Sequence, residues 1–209
     1  MIYEMRTYDL KPRSLPEVLK RWTEAYEKRR KLSELAAFWY TEIGPLNQIV
    51  HVWPYKDLEE RGRIRAAALA AGGWPPKTAE FIVSMRSEIM IPWEGSPLLP
   101  SGDAGPIFEM RTYTINPGDQ PKVQKAWAKA LPDRVKLSPV IATWFSELGG
   151  LNKFVHVWPY KSLEQRMQVR QAAIASGKWP PVPDQGPDFF STVSQENKIL
   201  LAAPFSPLR

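Results

Sequence analysis

Asn47–Tyr55 reads NQIVHVWPY, and Asn152–Tyr160 reads NKFVHVWPY. Asn47, Ile49, His51, Trp53 and Tyr55 fall on one side of an extended chain and Val50 and Val52 on the other, the period of two expected of a β-strand. The two histidines of the chain, His51 and His156, take the same place in the two stretches. Working outward, residues 3–76 align with 108–181 at a constant offset of 105, and 39 of the 74 pairs are identical. The chain is therefore an internal duplication. Ser96-Pro97-Leu98 matches Ser206-Pro207-Leu208 at an offset of 110, which places five extra residues of the second copy in PPVPDQGPD, residues 180–188. The stretch from Pro92 to Pro106, rich in Pro, Gly and Ser, reads as a linker. Two domains are expected, 1–98 and 106–209.

Each copy carries the same order of elements. Tyr3 to Asp9 alternates as a strand. Ser14 followed by Glu17 has the spacing of a capping box, and Val18, Trp22, Ala25 and Tyr26 share one helix face. In the second copy Asp119 stands at the cap, and Pro132 is expected to break or kink the helix. Ala37 to Ile43 and Asn47 to Trp53 read as strands joined by a Gly44-Pro45 turn. Asp57 with Glu60, and Ser162 with Gln165, cap a second helix that Gly72-Gly73 and Gly177 end. Phe81 to Ile91 and Ser191 to Leu201 are fourth strands. Strand, helix, strand, strand, helix, strand is the split βαβ, ferredoxin-like order.

Such a unit packs both helices on one face of its sheet. Alternation gathers Glu4, Arg6, Tyr8, Glu42, His51, Trp53 and Tyr55 on one side, repeated as Glu109, Arg111, Tyr113, Glu147, His156, Trp158 and Tyr160. With Val50 and Val52 assigned to the helix-packed side, this polar and aromatic side is expected to be enclosed between the two sheets of a barrel.

These motifs resemble the NIPSNAP family. The resemblance rests on E-x-R-x-Y at Glu4–Tyr8, on W-x-x-E-x-G-x-L-N-x-x-V-H-V-W-x-Y at Trp39–Tyr55, on L-E-x-R-x-x-x-R at Leu58–Arg65 and on Trp74-Pro75. The second copy matches over Glu109–Tyr113, Trp144–Tyr160, Leu163–Arg170 and Trp179-Pro180. Its Ser194–Leu200 is similar to the family's S-Q-E-N-x-I-L tail, from which the first copy departs with Ser84-Met85-Arg86-Ser87-Glu88-Ile89-Met90. The resemblance implies an α+β fold, tandem ferredoxin-like (βαββαβ) repeats forming a dimeric α+β barrel, closed within one chain or between chains. It implies no activity. Barrel relatives include cofactor-free monooxygenases, isomerases and haem enzymes, and animal members are mitochondrial interaction proteins with a leader.

Composition narrows the chemistry. The chain has 209 residues, 44% hydrophobic, 24% charged, with nine Trp and no Cys. Without Cys there is no disulfide, thiolate nucleophile or Cys-based metal site. No apolar run approaches the ~20 residues of a membrane span, and the opening MIYEMRTYDL alternates like a strand rather than a leader, so no membrane partner and a cytoplasmic location are expected. The net charge of +6 divides as about +1 before residue 105 and +5 after it. The densest basic run, Lys28-Arg29-Arg30-Lys31, reads as a solvated helix face. The third strand lacks the aromatic pattern of RNA-binding sheets, so no nucleic acid is expected.

His51 and His156 are the candidate proton-transfer groups, because only their ordinary pKa lies near neutrality. The competing reading is a core histidine bonded to a carbonyl or to Glu42 or Glu147. Candidate binding residues are Arg6, Tyr8, Glu42, Trp53 and Tyr55, with Arg111, Tyr113, Glu147, Trp158 and Tyr160. One His and two Glu per copy, without H-x-x-x-H spacing, make no metal centre, and no phosphate loop is present. No cofactor is expected. Arg61 and Arg65, with Arg166 and Arg170, lie four apart on a helix face and either pair with Glu or hold an anionic ligand. Two functional readings stand. One is a small-molecule-binding protein, extending to a cofactor-independent enzyme that acts on an aromatic or apolar metabolite. The other is a non-enzymatic scaffold. Association of two chains into a homo-oligomer is left open.

Overall fold

The structure is a computed structural model that describes residues 1–182 and 191–209. The first repeat runs β1 (Ile2–Leu10), α1 (Leu15–Arg29), β2 (Ala37–Ile43), β3 (Gln48–Tyr55), α2 (Leu58–Ala70) and β4 (Ile82–Pro92). The second runs β5 (Ile107–Ile115), α3 (Gln120–Arg134), β6 (Ala142–Leu148), β7 (Lys153–Tyr160), α4 (Leu163–Ala175) and β8 (Thr192–Ala202). Most of the stretch assigned to the five-residue insertion lies outside the described residues.

The strands form one closed antiparallel barrel in the order β1-β3-β2-β8-β5-β7-β6-β4. Closure takes place within one chain. β4 pairs with its own β1 and reaches across to β6, with Met90 opposite Ser146 and Pro92 opposite Trp144. β8 pairs with β5 and reaches across to β2, with Trp39 opposite Ala202. The two turns that meet these seams need glycine. Gly44 and Gly149 have φ of +120° and +102°, and a Cβ on either would lie 3.0 Å from Lys198 Cβ or 2.6 Å from Ser87 O.

The lumen is apolar. Tyr3, Met5, Trp39, Val50, Val52 and Met90 meet Phe108, Met110, Trp144, Val155, Val157 and Leu200 in one cluster. Tyr3 stacks on Trp144 at 4.9 Å and Trp39 tilts on Phe108 at 5.5 Å. Truncation of a fully buried Trp such as Trp39 costs about 3–5 kcal/mol.

The valines therefore face the lumen, and His51, Trp53 and Tyr55 face the helices, the reverse of the expected assignment. The physical reason is the supply of partners. A small eight-stranded barrel is filled by side chains and holds no counter-charge for a carboxylate or guanidinium. The helix layer does, because α2 carries Arg61 and Arg65 above Glu4. Buried charge goes where it can be paired.

α1 buries Val18, Trp22, Tyr26 and Arg29, whereas α2 buries only Ile64 and Ala68. Asp57 and Ser162 cap α2 and α4 by accepting from the N–H of Glu60 and Gln165. The Ser14–Glu17 box is not made: Ser14 Oγ donates to Lys11 O at 2.7 Å, and Glu17 pairs with Arg21. Helix α3 continues past Pro132 to Arg134, with Pro132 in its last turn. β3 likewise continues through Pro54 to Tyr55, which pairs with Ile2.

Candidate ligand site

Glu4 organises the layer between sheet and helices. Its side chain is fully buried, and Oε1 accepts from Arg61 Nη2 at 2.7 Å, Ser87 Oγ at 2.7 Å and Arg6 Nη1 at 2.8 Å. Arg65 Nη1 stands 3.7 Å away. Burial alone would raise the Glu4 pKa, but the bonds from Arg61, Ser87 and Arg6 outweigh it and hold the carboxyl down to about 2. The second repeat rebuilds the cluster: Glu109 accepts from Arg166 at 2.6 Å, Arg111 at 2.9 Å and Asn197 at 3.0 Å. Of the two readings of the helix arginines, pairing with a glutamate holds for Arg61 and Arg166, and the glutamates are Glu4 and Glu109.

Arg6 sits on the same strand side two residues on, and its Nε donates to Tyr8 Oη at 2.7 Å. Opposite, across the β1–β3 ladder, Arg6 faces His51. His51 is 1% exposed. Its Nδ1 accepts from Trp53 Nε1 at 2.7 Å, so the neutral ring carries its proton on Nε2, and that buried atom has no hydrogen-bond partner. Burial pushes the His51 pKa well below the usual range, and Arg6 and Arg65 push the same way against Glu4. His156 repeats this, with Trp158 Nε1 donating to Nδ1 at 2.6 Å and Nε2 unpartnered.

Beside the imidazole lies a cavity of about 250 Å³ under α1 and α2. Arg6, Tyr8, His51, Trp53 and Tyr55 line it, with Arg65 and with Trp22, Arg29 and Trp74, which are not among the candidate binding residues. Trp74 packs edge-on against Trp22 at 5.1 Å. The second repeat has a cavity of about 640 Å³ lined by Arg111, Tyr113, Trp127, Arg170 and Trp179 among others. His156, Trp158 and Tyr160 are buried beside that wall, the imidazole 4.7 Å from the Trp127 ring.

Glu42 and Glu147 do not join either site. Both are exposed, each at a register shift where its strand crosses the seam. A bulge inserts one unpaired residue and turns the side chain away, so neither glutamate can orient an imidazole. The indole N–H of Trp53 or Trp158 does that instead.

Arg29 is the cavity-lining residue that the basic run concealed. It is 3% exposed rather than solvated; Nη1 donates to Ser33 Oγ at 2.8 Å, Nη2 to Tyr55 Oη at 3.3 Å, and the guanidinium lies 4.3 Å over the Trp53 ring. The duplication carries a signal for it. Lys28 and Arg30 become Asp133 and Val135 in the second copy, while Arg29 stays Arg134. Arg134 makes the same contacts, 3.1 Å to Tyr160 Oη and 4.1 Å over Trp158.

With this geometry in hand the relatives are informative. The NIPSNAP sequence profile matches residues 3–97 and again 108–207. The Drosophila melanogaster protein NipSnap is 29% identical over 190 residues, 86% of this chain and 69% of its own. Human NipSnap homolog 3B is 27% identical over 99% of this chain and 85% of its own. Among solved structures, a Fusobacterium nucleatum protein provisionally described as a monooxygenase aligns over 97% of this chain and 92% of its own, with a TM-score of 0.61 at 8% identity. That likeness shows the shared fold, the α+β barrel of paired ferredoxin-like units. The two profile matches, covering nearly the whole chain, show that it belongs to the NIPSNAP family.

Proposed function

We propose that the protein binds a small molecule in each repeat, in the cavity between the outer sheet face and the helices. The observation that carries this reading is the unpartnered, buried Nε2–H of His51 beside a cavity edged by Tyr8, Trp22 and Trp74. A buried polar group without a partner costs stability, and a ligand oxygen would satisfy it. Aromatic walls suit a flat or apolar ligand body. Eleven residues of this layer recur unchanged at the offset of 105, from Glu4 and Arg6 through Arg29, His51 and Arg65 to Trp74. Outside such residues about half of the aligned positions have changed.

The proton-transfer role takes a specific form here. Nδ1 is occupied by the indole, so His51 and His156 serve as neutral hydrogen-bond donors through Nε2. Any catalysis would polarise a ligand carbonyl or enolate oxygen rather than begin with proton abstraction by the imidazole. The scaffold reading draws on Leu46 and Leu151, 73% and 70% exposed at the same turn of both repeats. No helix among the described residues is long and apolar enough to cross a membrane.

A thermal-shift screen of small aromatic and aliphatic acids, amides, ketones and quinones tests the proposal. Binders should stabilise the wild type and lose most of their effect in His51→Gln/His156→Gln. Equal shifts in both proteins would remove the histidines from the site, and silence across the screen would favour the scaffold.

A further inference from the structure

The polar groups around the first cavity are almost all donors. Tyr8 Oη accepts from Arg6 and Tyr55 Oη accepts from Arg29, which leaves each phenol its own O–H to give. His51 offers Nε2–H, and the buried indole Nε1 of Trp22 has no acceptor. Among the described residues no Asp or Glu lines either cavity. Arg29, almost wholly buried, has no carboxylate within 4 Å among the described residues. A buried guanidinium without a counter-charge is costly.

The charge count points the same way. Each layer holds four guanidiniums, those of Arg6, Arg29, Arg61 and Arg65 or their repeats, against one carboxylate, Glu4 or Glu109. The two layers together carry the whole net charge of +6, and outside them the acids and bases of the chain balance. The basic character of the protein therefore belongs to the two sites rather than to a surface stripe that would read nucleic acid. At the outer rim the lining turns apolar: Leu69 and Met85 are 61% and 56% exposed in the first cavity, Ile174 and Val193 59% and 64% in the second.

Resting on the cavity reading above, we infer that the ligand of each repeat is a small hydrophobic carboxylic acid, bound as its anion. In the first repeat the carboxylate faces Arg29 and Arg65 and accepts from His51 Nε2–H, and the apolar body runs outward between Trp74 and Met85. In the second, Arg170, Trp179 and Val193 line the cavity, with Arg134 5.7 Å over the Trp179 ring and His156 4.7 Å from the Trp127 ring of that lining. The first cavity lies just below the ~300–1,000 Å³ of sites for drug-sized ligands, which keeps the acid small. A neutral imidazole completes the site, because a third positive group beside Arg6 and Arg65 would add repulsion without a further bond. The depressed pKa of both histidines agrees with this.

Isothermal titration of the full chain with octanoate and phenylacetate, against octanamide, phenylacetamide and inorganic phosphate, tests the assignment. The acids should bind at two sites per chain and about tenfold or more tighter than the amides, since charge-assisted bonds are lost in the amide. Arg65→Gln/Arg170→Gln, at partly exposed positions that leave the fold intact, should lose at least tenfold of acid binding and little amide binding. Arg29→Met/Arg134→Met should lose acid binding altogether, with circular dichroism reporting that the barrel remains. Amides that bind as well as the acids would overturn the anion assignment and leave the cavity reading standing. Phosphate that competes on equal terms would reduce the site to general charge attraction and overturn it as well. Binding by neither acids nor amides would remove both readings.

Discussion

The indole N–H of Trp53 donates to Nδ1 of His51 at 2.7 Å, and Trp158 does the same to His156 at 2.6 Å. Each donor sits two residues along the same strand from its acceptor, so one period of β alternation both brings the pair together and fixes the tautomer. The ring must stay neutral for this bond to exist, because a protonated imidazole has no acceptor atom.

The first prediction concerns protonation. Burial lowers the pKa of both histidines well below the ordinary 6.5. As pH falls through 6.5 the unfolded chain takes up two protons that the native chain refuses, so stability falls with falling pH, by about 1.4 kcal/mol per pH unit for each ring. Nitrogen-15 spectra should show both rings as neutral Nε2–H tautomers at pH 6. A ring that titrates near 6.5 in the native protein would contradict the geometry.

A second fall in stability should follow at lower pH. Glu4 and Glu109 have folded pKa values of about 2 against 4.5 when free. Their contribution is complete above pH 4.5 and is lost as pH drops toward 2, of the order of 3 kcal/mol for each fully buried carboxylate. Glu4→Gln keeps the shape but leaves Arg6 and Arg61 with no counter-charge, and should cost about 3–5 kcal/mol at neutral pH. Urea midpoints across pH 2–7 for wild type and variant measure both effects. The variant should show a shallower acid limb, and an unchanged limb would mean that other carboxylates carry it.

Much of this is legible in the sequence. The duplication, the twelve major elements and the Asp57 and Ser162 caps follow from spacing, and Glu4 to Tyr8 with His51 to Tyr55 are correctly grouped on one side. Which side is buried against helices is not legible from alternation, because both sides of β3 are apolar enough to be covered. The decision rests on a distant fact, that Arg61 and Arg65 project from α2 onto Glu4. Glu42 and Glu147 are misplaced because a bulge breaks the period that assigned them. Arg29 is hidden by its basic neighbours until the second copy changes two of them, Lys28 and Arg30, around Arg134.

The third prediction uses a residue absent from the first repeat. Lys198 takes the place that Glu88 holds in β4, donates to Gln48 Oε1, and is pulled down to about 8 by burial first and Arg86 next, against Glu196, Asp9 and Glu88. Between pH 8 and 10.5 the unfolded chain holds a proton that the native chain has released, so stability rises with pH across that window. The gain is of the order of 2 kcal/mol, with some solvent screening at a half-buried side chain. Lys198→Met should flatten this rise in the pH dependence of the urea midpoint and raise stability at pH 7. A rise that persists in Lys198→Met would assign it elsewhere.

The last prediction concerns closure of the barrel within one chain. At one seam Glu88 of β4 pairs with Lys153 of β7, and at the equivalent seam Lys198 of β8 bonds Gln48 of β3. Glu88 corresponds to Lys198 and Lys153 to Gln48, so the repeats have diverged in a matched way at both seams. Two second repeats placed together would set Lys198 against Lys153, and like charges that close repel. Glu88→Lys alone creates that clash in the intact chain and should cost about 2 kcal/mol, more than the loss of an exposed pair because Glu88 is buried. Glu88→Lys with Lys153→Gln rewrites the first seam in the chemistry of the second and should recover most of the loss. Urea midpoints of the three proteins decide it: a double variant no more stable than Glu88→Lys would show that the two seams do not obey the same rule.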